Sequence, residues 1–274
     1  MAIIAISRGT FSGGELLAKA VAERLGYRCM SREVLLEAAT EYDVPLEDLS
    51  AAMERPPSFW ERATGERRAH LDFVQAALCE QARGGNLVYH GYVGHLLLPG
   101  IAHVISVRAI AEAEFRIQAV MQERRVGRPE AAAYIARVDR ERSQWVRFLF
   151  DVAWDDPRLY DLVLHLGRMT LATACEMVAQ LAARDEFQPT GQSLRAVRDL
   201  ALASRVRAVL TRDPLTKDAD LHVAASDGAV TVSGTALWPA LLESIPRVVG
   251  EIKGVREVRS ELSTVLPMSY YPTP

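Results

Sequence analysis

Cysteine is scarce in this sequence, and its few cysteines form no pattern. The 274 residues include three, Cys29, Cys79 and Cys175. They are widely separated, so none of them forms a pair with metal-ligand spacing. We therefore expect reduced, mostly buried thiols, as in a cytoplasmic protein, and no metal site built on cysteine.

Long hydrophobic runs and an excess of charge are also lacking. No apolar run reaches the ~18 residues of a membrane helix. The first apolar run, about four residues long, has no basic region before it and no small-residue cleavage site after it, so we do not expect a secretory signal. The net charge of −3 gives no argument for binding nucleic acid or an anionic membrane. These absences predict a cytoplasmic protein with no transmembrane segment and no nucleic-acid partner.

Up to about residue 187, strand-like and helical patterns alternate. Apolar runs typical of strands lie at 3–6, 27–30, 86–90, 102–107 and 160–165. Helical patterns lie at about 14–25, 31–41, 57–82, 109–124, 130–150 and 170–184. This alternation predicts an α/β domain over 1–187, in which a parallel sheet is flanked by helices.

The remainder of the chain has a different character. The composition of residues 188–196 predicts a linker. After it the pattern predicts a helix, two strands, a helix and a strand, at about 195–211, 220–225, 229–233, 236–250 and 255–264. Asp227-Gly228 between two alternating runs is a strong hairpin signal. We therefore predict a small α+β domain of order αββαβ at 197–265 and a tail at 266–274.

The first strand leads into a segment that has the layout of a phosphate loop. Gly9 and Gly14 have the G-x-x-x-x-G spacing, but Glu15 and Leu16 follow where the pattern requires Lys and Ser or Thr. A strand, a small-residue loop and a helix N-terminus direct backbone N–H groups at an anion. An ordinary strand-to-helix turn explains the same residues, and local sequence leaves both interpretations open.

A predicted helix in the middle of the chain carries several arginines, including Arg137, Arg140 and Arg142. Guanidinium groups match phosphate oxygens in a fork geometry. Asp139 and Arg142 are three residues apart, so they can pair on one helix face. A solvated, salt-bridged helix surface is the alternative reading of this run.

Three segments resemble the cytidylate kinase-like family of P-loop nucleoside monophosphate kinases. Residues 6–14 match the family's I-S-R-x-x-x-S-x-G opening, and 86–95 match a core strand followed by a Gly-rich turn. The third match combines 139–142 with 159–165, and together the matches span about 1–185. The resemblance implies a bacterial P-loop kinase fold, ATP and Mg2+ as cofactors, and phosphoryl transfer to a nucleoside monophosphate, CMP or dCMP.

The resemblance also implies site residues. The donor phosphates would be bound by Arg8, Gly9, Thr10, Ser12, Gly13 and Gly14. The acceptor would be bound by Arg32, His90 and Tyr92, and the catalytic arginines would be Arg137, Arg140 and Arg142. Arg32 has a second reading as a surface residue of a helix that Ser31 caps. Tyr92 stands where family members carry an arginine. In an alignment without gaps, Gly14 stands at the position of the loop lysine, and Arg8 is the candidate to replace that lysine.

Residues 198–265 resemble a BON domain in the spacing of their apolar and glycine positions, such as 227–234 and 254–258. BON domains act as attachment modules, which implies a protein or lipid-surface partner. The degenerate loop leaves a rival to the kinase hypothesis. In that rival the chain is a non-catalytic nucleotide sensor that signals through its BON domain.

Overall fold

A computed structural model describes residues 2–54, 66–217, 219–236, 238 and 240–264. The first part of the chain forms a five-stranded sheet in the order β2-β3-β1-β4-β5, and every adjacent pair is parallel. Its strands are β1 (Ile3–Arg8), β2 (Arg28–Met30), β3 (Leu87–Gly91), β4 (Val104–Ile110) and β5 (Leu162–His165). The predicted parallel sheet is confirmed.

Helices cover both faces of this sheet. They are α1 (Gly14–Leu25), α2 (Glu33–Tyr42), α3 (Leu46–Glu54), α4 (Glu66–Arg83), α5 (Gly94–Leu97), α6 (Ala113–Arg124), α7 (Arg128–Phe150) and α8 (Leu171–Ala182). The predicted helix at 57–82 lies in part outside the described residues, and α3 precedes it where no helix was predicted. Thr170 caps α8, because its hydroxyl accepts the Thr173 N–H.

The central strand β1 is buried on both sides, as its continuous apolar run requires. Ile3 and Ala5 contribute to a core with α2, α3 and α4, and Ile4 and Ile6 to a core with α1 and α8. The loop after β1 therefore starts from a fixed position in the middle of the sheet. It lies at the carboxyl edge, where open α/β sheets bind ligands.

The C-terminal domain follows the predicted αββαβ order. Its elements are α9 (Gly191–Arg212), β6 (Asp220–Ser226), β7 (Ala229–Ala236), α10 (Leu241–Gly250) and β8 (Glu257–Thr264). Strands β6 and β7 are antiparallel, and β7 and β8 are parallel. Asp227 and Gly228 both have positive φ, 47° and 85°, as a tight hairpin turn requires. The predicted tail at 266–274 lies outside the described residues.

Helix α9 begins at Gly191, inside the predicted linker, with a capping box between Thr190 and Ser193. Two of its faces are apolar. Val197, Ala201 and Ala208 pack into the first domain, whereas Val206 and Leu210 belong to the core of the second. The two domains are therefore joined by a helix that contributes to both cores.

Polar contacts between α4 and α9 add to this packing. The Asp72 carboxylate accepts hydrogen bonds from Arg207 Nε at 3.0 Å and from the Thr211 hydroxyl at 2.8 Å. Arg205 contacts Glu80 at 2.6 Å. In the part of the chain that the structure describes, no helix is both long and apolar enough to cross a bilayer.

Candidate phosphate-binding site

The loop between β1 and α1 is folded tightly on itself. The Ser12 N–H donates to the Gly9 carbonyl at 3.1 Å, and the buried Ser12 hydroxyl donates to the Ala109 carbonyl at 2.8 Å. Phe11 and Gly13 have positive φ, 58° and 84°, which reverses the chain into α1. The loop therefore presents the N-terminus of α1, and its partial positive charge, at the carboxyl edge of the sheet.

Arg8 covers the first residue of α1. A Cβ atom at Gly14 would lie 2.6 Å from Arg8 Cβ and 3.1 Å from Ala109 Cβ. No side chain fits at Gly14 unless Arg8 moves, because the Arg8 side chain packs directly against this residue. Arg8 Nε is buried and has no hydrogen-bond partner among the described residues. A buried guanidinium nitrogen without a partner is a physical reason to expect an anion beside it.

Thr10 connects the loop to α7 and α6. Its hydroxyl donates to Asp139 Oδ1 at 2.7 Å, and its carbonyl accepts from Arg116 Nε at 2.7 Å. Arg116 Nη2 also contacts Asp139 Oδ2 at 2.5 Å. Both side chains of this ion pair are largely shielded, with exposures of 15% for Arg116 and 29% for Asp139. Three separate elements are thereby joined at one point of the loop.

Arg142 completes the group from the next turn of α7. Its Nη1 donates to the Thr10 hydroxyl at 2.5 Å, and its Cζ lies 3.5 Å from the centroid of the Tyr92 ring. The Arg8 guanidinium lies 5.8 Å from the same centroid. Tyr92 therefore contacts two of the predicted site arginines, Arg8 and Arg142, through cation–π interactions with its ring.

The other two predicted catalytic arginines lie elsewhere on α7. Arg137 is exposed, contacts Glu141 at 3.2 Å and lies over the Tyr134 ring. Arg140 is also exposed. The structure brings Arg142 to the loop and does not bring Arg137 or Arg140 to it, because a helix directs residues two and five positions away from a site residue to other faces.

His90 lies on the α1 side of the sheet, opposite the face that carries His95. Burial, followed by the charge of Arg8, lowers the pKa of His90 to about 4. Nearby Glu15 forms an ion pair with Lys19 one turn along α1 at 2.8 Å. The hydrogen bond from Lys19 lowers the pKa of Glu15, and Arg8 lowers it further. Glu15 is therefore turned along the helix surface, toward Lys19.

Arg32 is exposed at the start of α2. Ser31 does not cap this helix with its side chain, since the helix begins without a side-chain cap. Instead the Ser31 N–H donates to a Glu33 carboxylate oxygen at 2.7 Å. None of these contacts tests whether Arg32 binds the acceptor, so that role stays a prediction.

Sequence reasoning missed Arg116 and a second arginine, Arg108, on β4. Arg108 is buried, donates to the Trp154 carbonyl at 2.6 Å, and lies 4.3 Å above the Trp154 ring. Tyr160 also accepts from it, at 3.2 Å. The sequence does point to Arg108, because an arginine at an inward position of an apolar strand needs polar partners in the interior. No sequence pattern links Arg116 to Asp139.

The site fits phosphate better than it fits a metal ion. Arg8, Arg116, Arg142 and the N-terminus of α1 all supply positive charge around the loop. The Thr10 hydroxyl is bound by Asp139 and Arg142, and the Ser12 hydroxyl by Ala109. Both hydroxyls take part in the packing of the loop, and we assign magnesium no step. Among the described residues, no group of three His, Cys, Asp or Glu side chains is placed to hold a metal.

Comparison with solved structures found several similar proteins, and the first one named here shares the fold of a large part of the chain. An uncharacterized protein from Eubacterium ventriosum is 22% identical with a TM-score of 0.52, and the match covers 67% of this chain and 100% of that one. Shikimate kinase from Bacteroides thetaiotaomicron is 12% identical with a TM-score of 0.41, covering 66% of this chain and 97% of that one. Shikimate kinase from Acinetobacter baumannii, in complex with shikimate, is 10% identical with a TM-score of 0.40, covering 66% and 92%.

A comparison with curated proteins found no match. Comparison with protein families matches residues 3–168 to the cytidylate kinase-like family and 198–265 to the BON domain. The first match contains the sheet and every residue of the loop site. The second contains β6, β7, α10, β8 and most of α9. The chain therefore belongs to the cytidylate kinase-like family and carries a C-terminal BON domain.

Proposed function

We propose that this chain transfers a phosphoryl group from ATP to a nucleoside monophosphate in the cytoplasm, with CMP or dCMP as the acceptor. One observation carries the proposal. Arg8, Arg116 and Arg142, from three different elements, converge with the N-terminus of α1 on one loop. Phosphoryl transfer is catalysed chiefly by positioning and by neutralising charge on the phosphoryl oxygens, which is what such a group supplies.

Each residue has a role in this proposal. Arg8 would take the place of the absent lysine, because its buried Nε has no partner among the described residues and its side chain covers Gly14. Arg142 would contact the transferred group. Asp139 would act as a positioning residue, since it holds both Arg116 and Thr10. Bound ATP would supply the phosphoryl group, and loop amides would bind its phosphates.

The experiment is an ADP-release assay with ATP and magnesium against CMP, dCMP, UMP, AMP and GMP. Arg142→Ala is the test variant. Arg147→Ala is the matched control, because Arg147 lies on the same helix and is 66% exposed. CMP-dependent turnover that Arg142→Ala abolishes and Arg147→Ala retains would support the kinase. Nucleotide binding without turnover on any acceptor would contradict it.

A second candidate is a non-catalytic nucleotide sensor. It is favoured by the engagement of both loop hydroxyls and by α9, which gives the first domain a direct physical connection to the BON domain. The BON domain would then pass the signal to a protein or a lipid surface. Saturation at 100 times the dissociation constant would stabilise the fold by about 2.7 kcal/mol. A thermal shift with ATP alone and no turnover would make this candidate primary.

A further inference from the structure

A second group of cations lies at the opposite edge of the sheet from the loop site. Two adjoining cavities, of about 570 and 440 Å3, share Glu80, Arg83 and Arg198 as lining residues and form one groove between the domains. The groove runs along the end of α4, where Arg28 is the first residue of β2 and His103 directly precedes β4. It continues to the hairpin turn of the BON domain.

The groove is rich in positive charge. Six cationic side chains line it, against three carboxylates, in a chain whose net charge is −3. The cations are Arg28, Arg83, Arg198, Arg205, Lys253 and Arg256, and the carboxylates are Glu80, Asp199 and Asp227. They come from both domains. Cations that converge on one concave surface raise the local concentration of anions there.

The carboxylates do not neutralise all of these cations. Glu80 contacts both Arg83 and Arg205, at 2.7 and 2.6 Å, and Asp227 reaches Arg256 only at 3.9 Å. Asp199 accepts the Asp227 N–H at 2.8 Å. Arg28 donates to the Gln81 side-chain and backbone oxygens, which are neutral. Within the described residues, Arg198 and Lys253 form no ion pair.

A buried polar atom in the wall of the groove provides a second, independent observation. His103 lines the larger cavity and is 1% exposed, and its Nδ1 has no hydrogen-bond partner among the described residues. Buried polar groups are normally satisfied, and one that is not calls for an unseen partner. The imidazole can donate a hydrogen bond to a phosphate oxygen or accept one from a ligand hydroxyl.

We propose that this groove binds a soluble polyphosphate anion that bridges the two domains. Most of the cations are arginines, whose guanidinium groups can bind two phosphate oxygens at once, and the cavity is large enough for a ligand of the size of a nucleotide. Arg28 and Arg83 would bind it from the first domain, and Arg198, Lys253 and Arg256 from the second. A planar bilayer reaches projecting surfaces, whereas these groups lie in a concave groove, so we favour a soluble anion over a lipid headgroup.

The test is calorimetric titration of the full chain with inorganic tripolyphosphate. The variant Arg198→Gln/Lys253→Gln should weaken binding at least about tenfold, since both lost contacts are charge-assisted. The control Arg247→Gln/Arg259→Gln removes the same charge from the same domain outside the groove. It should change the affinity by no more than about twofold, because distant surface charges are screened. Arg142→Ala should leave groove binding intact, which separates this site from the loop site.

Three results would overturn the proposal. One is the absence of saturable tripolyphosphate binding to the unmodified chain. Another is an equal loss in the control variant, which would show attraction to net charge alone. The third is binding to phosphatidylglycerol vesicles that the groove variant abolishes while tripolyphosphate does not bind, which would assign the cations to a lipid surface. If the unmodified chain binds tripolyphosphate in the groove but shows no kinase turnover, the proposed function is contradicted and the groove site is still supported.

Discussion

The Thr10 hydroxyl donates to Asp139 Oδ1 at 2.7 Å, across 129 residues of sequence. The same carboxylate accepts from Arg116, and Arg116 donates in turn to the Thr10 carbonyl. The loop conformation is therefore fixed by side chains from the two helices that follow β4 in the chain, α6 and α7. A change at Asp139 should affect both the loop and the arginine beside it.

Asp139→Asn should lower the free energy of unfolding by about 1–3 kcal/mol, because the amide nitrogen cannot accept and leaves a shielded guanidinium without its anion. Urea unfolding at pH 7 measures this change. The control is Asp151→Asn, since that side chain is 95% exposed and should shift stability by less than about 0.5 kcal/mol. Equal stability of the two variants would contradict the positioning role.

Arg142→Ala should reduce turnover at least about a hundredfold, as removal of a group that stabilises transition-state charge does. Its effect on stability should be smaller, about 1 kcal/mol from the cation–π interaction with Tyr92 and the hydrogen bond to Thr10. Parallel kinetic and melting measurements separate the two effects. If only the melting temperature changes, Arg142 supports the fold and does not contact the transferred group.

Gly14→Ala should destabilise the chain by about 1–3 kcal/mol through overpacking against Arg8. The new methyl would lie 2.6 Å from Arg8 Cβ. In an Arg8→Gly background most of that cost should disappear, so a double-mutant cycle would show positive coupling. Gly250→Ala is the control, because its added Cβ meets Val258 only at 3.9 Å. Additive effects of Gly14→Ala and Arg8→Gly would show that Arg8 does not occupy this space.

His95 should make the fold sensitive to acid. Burial, followed by the charge of Arg108, lowers the pKa of His95 to about 4. The unfolded chain takes up a proton near pH 6.5 and the folded chain does not, so stability is present above pH 6.5 and falls as the pH drops toward 4. Between pH 7 and pH 5 the loss is about 2 kcal/mol for this histidine.

His95→Phe should remove that part of the pH dependence, because phenylalanine keeps the ring contact with Tyr160 and has no proton to gain. Urea unfolding at pH 7 and pH 5 gives the difference directly. His222→Gln is the control, since His222 is exposed on β6 and should leave the slope with pH unchanged. An unaltered pH slope in His95→Phe would show that His95 does not govern acid sensitivity.

The sheet was predictable from sequence because its buried strands are short apolar runs separated by helical periodicity. The BON domain was predictable for a similar reason, since Asp227-Gly228 fixes its hairpin. The site was predictable only in part. Local pattern identifies the loop and places Arg142 on a helix, but it holds no information on which residue distant in sequence Thr10 will contact.

The two histidines illustrate the same limit. His90 and His95 are five positions apart, in a segment that matches a strand followed by a Gly-rich turn. His90 is still in β3, where alternation directs it toward α1, whereas His95 lies in α5 and stacks on Tyr160 with ring centroids 4.7 Å apart. Their separation onto opposite faces depends on where the strand ends, which is the least certain feature of a sequence pattern.

Helix α9 makes the two domains mechanically continuous. With 22 residues it is about 33 Å long, and one added residue would rotate everything after it by about 100°. The face that now covers α4 and the face that now fills the BON core could not both stay buried after such an insertion. Truncation of the chain within 188–196 would likewise remove α9 and expose the part of the first core that it covers. The first domain is therefore not independent of the second, because α9 supplies part of the core of both.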